Sequence, residues 1–130
     1  MTQQENSPVS GALGDYLAAI YVLSKDKPHV RITDISVYLK ISKPSVNRAV
    51  NSLSEQGFAE HKPYGDISLT DKGYEAGEAI YERYRIVRRF LNEVLNIPDD
   101  IAKREANYIE RGVSGYTIER MAELTERDKA

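Results

Sequence analysis

Apolar side chains recur along most of this chain at intervals of three and four, the spacing that lines up one face of an α-helix. From about Ala12 to Lys25, Leu13, Tyr16, Leu17, Ile20, Tyr21 and Leu23 form a wide apolar face, and the run "KDKP" ends it at Pro28. "HVRI" is a short β-like segment. A second helix begins at Thr33 and closes near Lys40, with Ile32, Ile35 and Leu39 at helical spacing. The best-marked helix is Ser42–Gly57, "SKPSVNRAVNSLSEQG", in which Val46, Ala49, Val50 and Leu53 stand at i, i+3, i+4 and i+7 and must be buried together. Ser42 fits an N-cap, Pro44 a first helical turn and Gly57 a C-terminal stop.

After Gly57 the period changes. "FAEH" and "DISLT" are short strand-like runs around "KPYG", where Pro63 and Gly65 supply turn geometry. From Asp71 a helical period returns through Ile80, Tyr84, Val87, Leu91 and Val94, with no strong breaker before Pro98. Roughly 24 residues make a helix about 36 Å long. Pro98 opens a further segment with Ile101, Tyr108 and Ile109 apolar, and Ser114 caps a last helix holding Ile118, Met121 and Leu124. These two short helices cannot form a core alone, so a homodimer is expected.

Only about three residues, around Lys40–Ser42, separate the second helix from the third, which is helix-turn-helix spacing. A hairpin following the third helix gives the winged-helix order. The expected fold is mainly α: a winged helix-turn-helix DNA-binding domain over residues 11–73 and an α-helical dimerisation domain over 74–130, joined by the long helix. Residues 1–10, polar and containing Pro8, are expected to be disordered.

Composition narrows the classes. With 130 residues and 41% apolar content the chain can bury an ordinary core, and without cysteine it has neither disulfides nor a thiolate metal site. The polar N-terminus and the lack of any long apolar run exclude a signal peptide and a membrane span, so a soluble, cytoplasmic protein is expected. No Ser/His/Asp or Cys/His set, glycine-rich phosphate loop or zinc spacing is present, and Asp99–Asp100 reads as a helix start, so the chain is not expected to be an enzyme.

Net charge is −2 and the pI near 5.7, which does not announce a nucleic-acid partner. The acid excess lies in the second half: Met1–Gly73 carries eight cations and eight carboxylates, Tyr74–Ala130 ten and twelve. A local basic surface remains compatible with that balance. The polar side of the Ser42–Gly57 helix carries Asn47, Arg48 and Asn51, with Ser45 and Lys43 near its start. Asn47, Arg48 and Asn51 suit base edges, while Ser42, Lys43, Ser45 and the hairpin's Lys62 suit phosphates. The expected partner is double-stranded DNA, a palindromic operator matching a dimer. Arg83, Arg85, Arg88 and Arg89 are expected as a solvated flank, and His29 and His61 as incidental surface residues. The alternative is a winged-helix module that binds protein and has lost DNA function.

The stretch "GDYLAAIYVL…VRITDISVYLKISKPSVNRAVNSLSEQGFAEH…GDISLTDKGYEAGEAIYERYRIVRRFL" resembles the diphtheria toxin repressor and manganese transport regulator family of metal-dependent transcriptional regulators, from about Leu13 to the end. The most specific parts are the helix-turn-helix, "LTDKG" after the wing and "EANYIERGVS" before the last helix. The length resembles the shorter members that lack an SH3-like domain. The resemblance implies a repressor with a divalent metal site, to which helix one gives an Asp or Met, the long helix a His, and the "EANYIERGVS" stretch a Cys or Glu followed by Glu-His. Here Asp15 and Glu110 match, but Tyr84, Asn107 and Arg111 stand at the other positions, and Ala18 replaces a helix-one Glu of manganese-type members. Arg and neutral Tyr are not donors for such a metal. No cofactor is expected, a remodelled manganese or iron site being the alternative. Either Arg111 is an internal cation bridging Asp15 and Glu110, with Tyr84 and Asn107 completing the cluster, or the site has decayed and Arg111 faces solvent.

Overall fold

The computed structural model describes residues 12–129; the expected disorder of residues 1–10 lies outside them. Among the described residues the chain forms α1 (Leu13–Asp26), α2 (Ile32–Leu39), α3 (Lys43–Glu55), β1 (Ala59–His61), β2 (Ile67–Leu69), α4 (Asp71–Glu93), α5 (Asp99–Gly112) and α6 (Gly115–Lys129). The fold is mainly α, a winged helix-turn-helix followed by helices. Two compact units divide between Tyr81 and Glu82, inside α4.

The first unit is built on the apolar faces of α1, α2 and α3. Leu17 and Ile20 of α1, Ile35 of α2, and Val46, Val50 and Leu53 of α3 are fully buried together with Phe58, Ala59 and Ile67 of the hairpin. Each of these side chains larger than alanine contributes about 1.5–3 kcal/mol by leaving water. The antiparallel strands pair Ala59 with Leu69 and His61 with Ile67. "HVRI" is not a strand of its own; its Val30 makes a single antiparallel bridge to Ile67 and extends the hairpin by one contact.

The joints between elements are closed by hydrogen bonds. The α3 C-terminus is a Schellman motif: Phe58 N–H donates to the Leu53 carbonyl at 2.9 Å and Gly57 N–H to Ser54 at 3.1 Å. Gly57 takes the left-handed φ of 85° that this ending requires. Thr70 then starts α4. Its hydroxyl donates to the Gly57 carbonyl at 2.7 Å and accepts from Gly73 N–H at 3.0 Å, while its own N–H donates to Phe58 at 3.1 Å. Gly73 is needed because a Cβ there would collide with the Phe58 carbonyl oxygen. The "LTDKG" run is thus the fastening of wing to long helix.

In the second unit Val87 and Leu91 of α4, Ala102 and Ala106 of α5, and Ile118 of α6 form a small core. The long helix expected from Asp71 is α4, which at 23 residues matches the expected length of roughly 24; beyond Glu93, Asn96 takes a left-handed φ of 57° that turns the chain toward α5. Ser114 caps α6 as expected, its hydroxyl accepting from Thr117 N–H at 3.2 Å. Asp99 starts α5 and receives Arg88 through two contacts of 2.8 and 2.5 Å and Asn92 at 2.8 Å. The Arg88 hydrogen bonds, ahead of that from Asn92, hold its carboxyl well below the usual carboxylate range.

Two outcomes follow. Gly73→Ala should cost about 1–3 kcal/mol through forced displacement of backbone, read as a lowered thermal midpoint by circular dichroism. Because the folded-state pKa of Asp99 is depressed, its stabilisation is present above the ordinary carboxylate pKa and lost as pH falls through the folded value. Asp99→Asn should therefore lower the unfolding midpoint at neutral pH, and the difference from the parent should shrink below about pH 4.

Candidate nucleic-acid interface

The interface candidates sit where a short turn sets α3 against α2. Lys40 closes α2 in the left-handed region, at φ 59° and ψ 47°. That conformation is costly for a residue with a Cβ. Two contacts secure it: Ile41 N–H donates to the Ser36 carbonyl at 3.2 Å, and the Ser36 hydroxyl donates to the Ile41 carbonyl at 2.6 Å. The chain then enters α3 at Ser42, whose hydroxyl accepts from Ser45 N–H at 3.4 Å, with Pro44 in the first turn.

Burial of Val46, Ala49, Val50 and Leu53 turns the opposite side outward, so that Lys43, Asn47, Arg48 and Asn51 are exposed and Ser45 half-buried. Ser42 donates to the Ser45 hydroxyl at 3.1 Å, and Arg48 reaches the same hydroxyl with Nη2 at 3.2 Å. The two serines and Arg48 therefore form one connected polar row. No carboxylate lies in the first turn of α3. Among the described residues no carboxylate forms an ion pair with Lys40, Lys43 or Arg48. The positive end of the helix dipole adds to the same surface.

The wing lies beside this helix in sequence and within the same compact unit. Its turn runs from Lys62 to Gly65, closed by Gly65 N–H donating to Lys62 at 2.9 Å, and Tyr64 at the tip is 67% exposed. Lys62 stands at the start of the turn, and its ammonium contacts Glu60 at 3.1 Å, a hydrogen bond that raises its pKa. Sequence reasoning missed the anchor of this turn. Arg31, just before α2, donates to Asp66 at 2.9 Å and to the Tyr64 carbonyl at 2.9 Å. His29, exposed as expected, also contacts Asp66, at 2.8 Å. His61 is half-buried in β1.

The positions matching the family's metal site divide between the units. Asp15 is half-buried on α1 of the first unit; Tyr84, Asn107, Glu110 and Arg111 belong to the second. Glu110 is only 2% exposed, and the guanidinium of Arg83 donates to its carboxylate at 3.1 Å and to its main-chain carbonyl at 2.8 Å. This corrects the expectation that Arg83 belongs to a solvated flank. The rest of that flank is also committed: Arg85 to Glu82, Arg88 to Asp99, and Arg89 to Glu93 and Glu126. The Tyr84 hydroxyl accepts from Arg88 at 3.4 Å, Asn107 is half-buried, and Arg111 lies over the Tyr108 ring at 5.1 Å. Among the described residues no group of three or more His, Cys, Asp or Glu is arranged to hold a metal ion. A buried carboxylate already engaged by a guanidinium, beside a phenol, an amide and a second arginine, does not fit a divalent cation.

Two family models match the chain: iron dependent repressor, N-terminal DNA binding domain, over residues 10–67, and iron dependent repressor, metal binding and dimerisation domain, over residues 70–129. An uncharacterized HTH-type transcriptional regulator of Methanocaldococcus jannaschii is 29% identical over 93% of this chain and 98% of its own length. The HTH-type transcriptional regulator MntR of Bacillus subtilis is 25% identical over 88% of this chain and 80% of its own. Among solved structures, T. acidophilum IdeR aligns with a TM-score of 0.77 at 28% identity over 91% of this chain. A manganese-dependent transcriptional repressor in complex with manganese aligns with a TM-score of 0.78 at 26% identity over 88%. The chain spans about half the length of those two solved chains, 55% and 52%. None of the described helices is long and apolar enough to cross a membrane. The family is one of transcriptional regulators and not of enzymes, and with the two models together spanning nearly the whole sequence, the chain belongs to the iron-dependent repressor family that its helix-turn-helix and "LTDKG" motifs resemble.

Proposed function

We propose that this chain is a homodimeric, sequence-specific DNA-binding repressor that works without the divalent metal of its family. The observation that carries the DNA reading is the outer side of α3. It presents Asn47, Arg48 and Asn51 around cations that no carboxylate neutralises, on a protein whose other arginines are largely ion-paired. Asn and Arg are the residue types that read adenine and guanine edges in the major groove. Lys43, Ser42 and Ser45, at the positive end of the helix, suit phosphate oxygens, as does Lys62 in the wing turn. The net charge of −2 does not oppose this, since phosphate contacts respond to the local field.

Dimerisation is supported by the second unit's small core and by Tyr108 and Tyr116, which are 64% and 69% exposed. A dimer offers two recognition helices to a palindromic operator. Metal independence is supported by the donor set: neutral Tyr84 and Arg111 supply no ligand, Asn107 offers only an uncharged amide oxygen, and Glu110 is held by Arg83. The dimer, the domain roles over 11–73 and 74–130 and a cytoplasmic location form one consistent reading.

The test begins with duplexes selected by the purified protein from a random-sequence library. Fluorescence anisotropy should show affinity falling steeply with salt as counterions are released, and unchanged between chelator and added manganese. Asn47→Ala and Arg48→Ala should each cost about 1–3 kcal/mol and relax sequence preference, whereas Lys43→Ala should weaken all sequences alike and reduce the salt slope by about one. A failure to select any duplex would favour the protein-binding alternative. Affinity that rises with manganese would favour the remodelled metal site.

A further inference from the structure

The contact between Arg83 and Glu110 joins two sources of negative potential to one cation. Glu110 is a carboxylate in the last turn of α5, which ends at Gly112, and it is 2% exposed. The carbonyls of a helix's last turn lack partners within the helix, and they carry the negative end of its dipole. Arg83 answers both: Nε donates to the carboxylate at 3.1 Å and Nη2 to the Glu110 carbonyl at 2.8 Å. A buried carboxylate at a helix C-terminus is an unfavourable arrangement unless a positive charge is held there.

Arg83 is itself well covered, its side chain 17% exposed, so screening by solvent is limited. A guanidinium keeps its charge at any physiological pH and offers donors in a fixed fork. It is also tethered to the chain, so its concentration at the site never varies. Lys at the same position would supply charge without the paired donors.

We infer that Arg83 is the resident cation of the dimerisation unit, bound to Glu110 in the role that an exchangeable divalent ion would otherwise fill. The inference rests on the metal-independent reading above and deepens it. Metal independence is then not only the loss of ligands at Tyr84, Asn107 and Arg111. The retained glutamate has been reassigned to an internal partner, and α4 and α5 are fastened without an ion. Arg111, the residue at the family's final ligand position, is not the guanidinium in these two hydrogen bonds; it lies over Tyr108.

The test is a thermal-unfolding cycle on the full chain with Arg83→Ala, Arg83→Lys, Glu110→Gln and the double variant Arg83→Ala/Glu110→Gln, each with chelator and with manganese chloride. Arg83→Ala should lower the midpoint by roughly 10 °C or more, because a carboxylate is left buried without its partner. The double variant should recover much of that loss, and Arg83→Lys should fall between Arg83→Ala and the parent. Manganese should leave the parent's midpoint unchanged. If Arg83→Ala is too unstable to purify, the comparison of Arg83→Lys with and without Glu110→Gln reads the same coupling. Strictly additive losses would overturn the inference, as would a manganese-induced rise in the parent that Glu110→Gln abolishes. A manganese response that survives Glu110→Gln defeats the metal-independent reading of the whole protein, while a non-additive cycle still upholds the cation at Glu110. No DNA enters these measurements, so a failure of the DNA-binding reading shows only in the anisotropy experiment.

Discussion

The apolar stripe of α3 can face only one way, and the candidate interface depends on that constraint. Val46, Val50 and Leu53 are fully buried against α1, α2 and the hairpin, so the helix has no rotational freedom to choose which polar residues meet solvent. Asn47, Arg48 and Asn51 are outward because their neighbours must be inward. The turn before α3 and the Schellman ending after it fix where this face begins and stops. Even the long helix is tied to it, since Thr70 and Gly73 hold the start of α4 on the backbone at Gly57 and Phe58.

Charge is partitioned by what it touches rather than by its sum. In the second unit, arginines are consumed internally, by Glu110, Asp99, Glu93 and Glu126. On α3 and the turn before it, cations meet hydroxyls or solvent. The three cations of α3 and its preceding turn therefore weigh more in the outward field than the more numerous cations of the second unit. An exposed ion pair contributes little to stability, but it does cancel the field that a phosphate would feel.

Much of the architecture was legible because period is a strong signal where one face is buried: the three N-terminal helices, the hairpin and the helix-turn-helix spacing follow from it. The length of α4 was legible too, but the turn after it was not, because Asn96 turns the chain by a left-handed backbone conformation that the apolar period does not encode. The "HVRI" segment reads as β-like, but it finds a partner at only one residue. The role of Arg83 was available in principle. It stands three residues after Ile80 and four before Val87, on the buried stripe of α4, yet it reads as part of a cation run because its neighbours are charged. Its partner lies 27 residues away, which no local pattern encodes. Arg31 is a similar case, 35 residues from Asp66. The polar residues of α3 were nameable in advance because they belong to a single helix whose buried side was already determined.

The anchoring of the wing turn by Arg31 has a further meaning for recognition. One guanidinium ties the loop that leads into α2 to both Asp66 and the Tyr64 carbonyl, so the hairpin tip and the helix pair are held as one piece in the free protein. A surface assembled in advance gives up little conformational entropy when a partner arrives. Its selectivity then rests on rejecting poorly shaped targets rather than on remoulding itself around them, and differences between good and poor targets are expressed mainly in how long each complex survives.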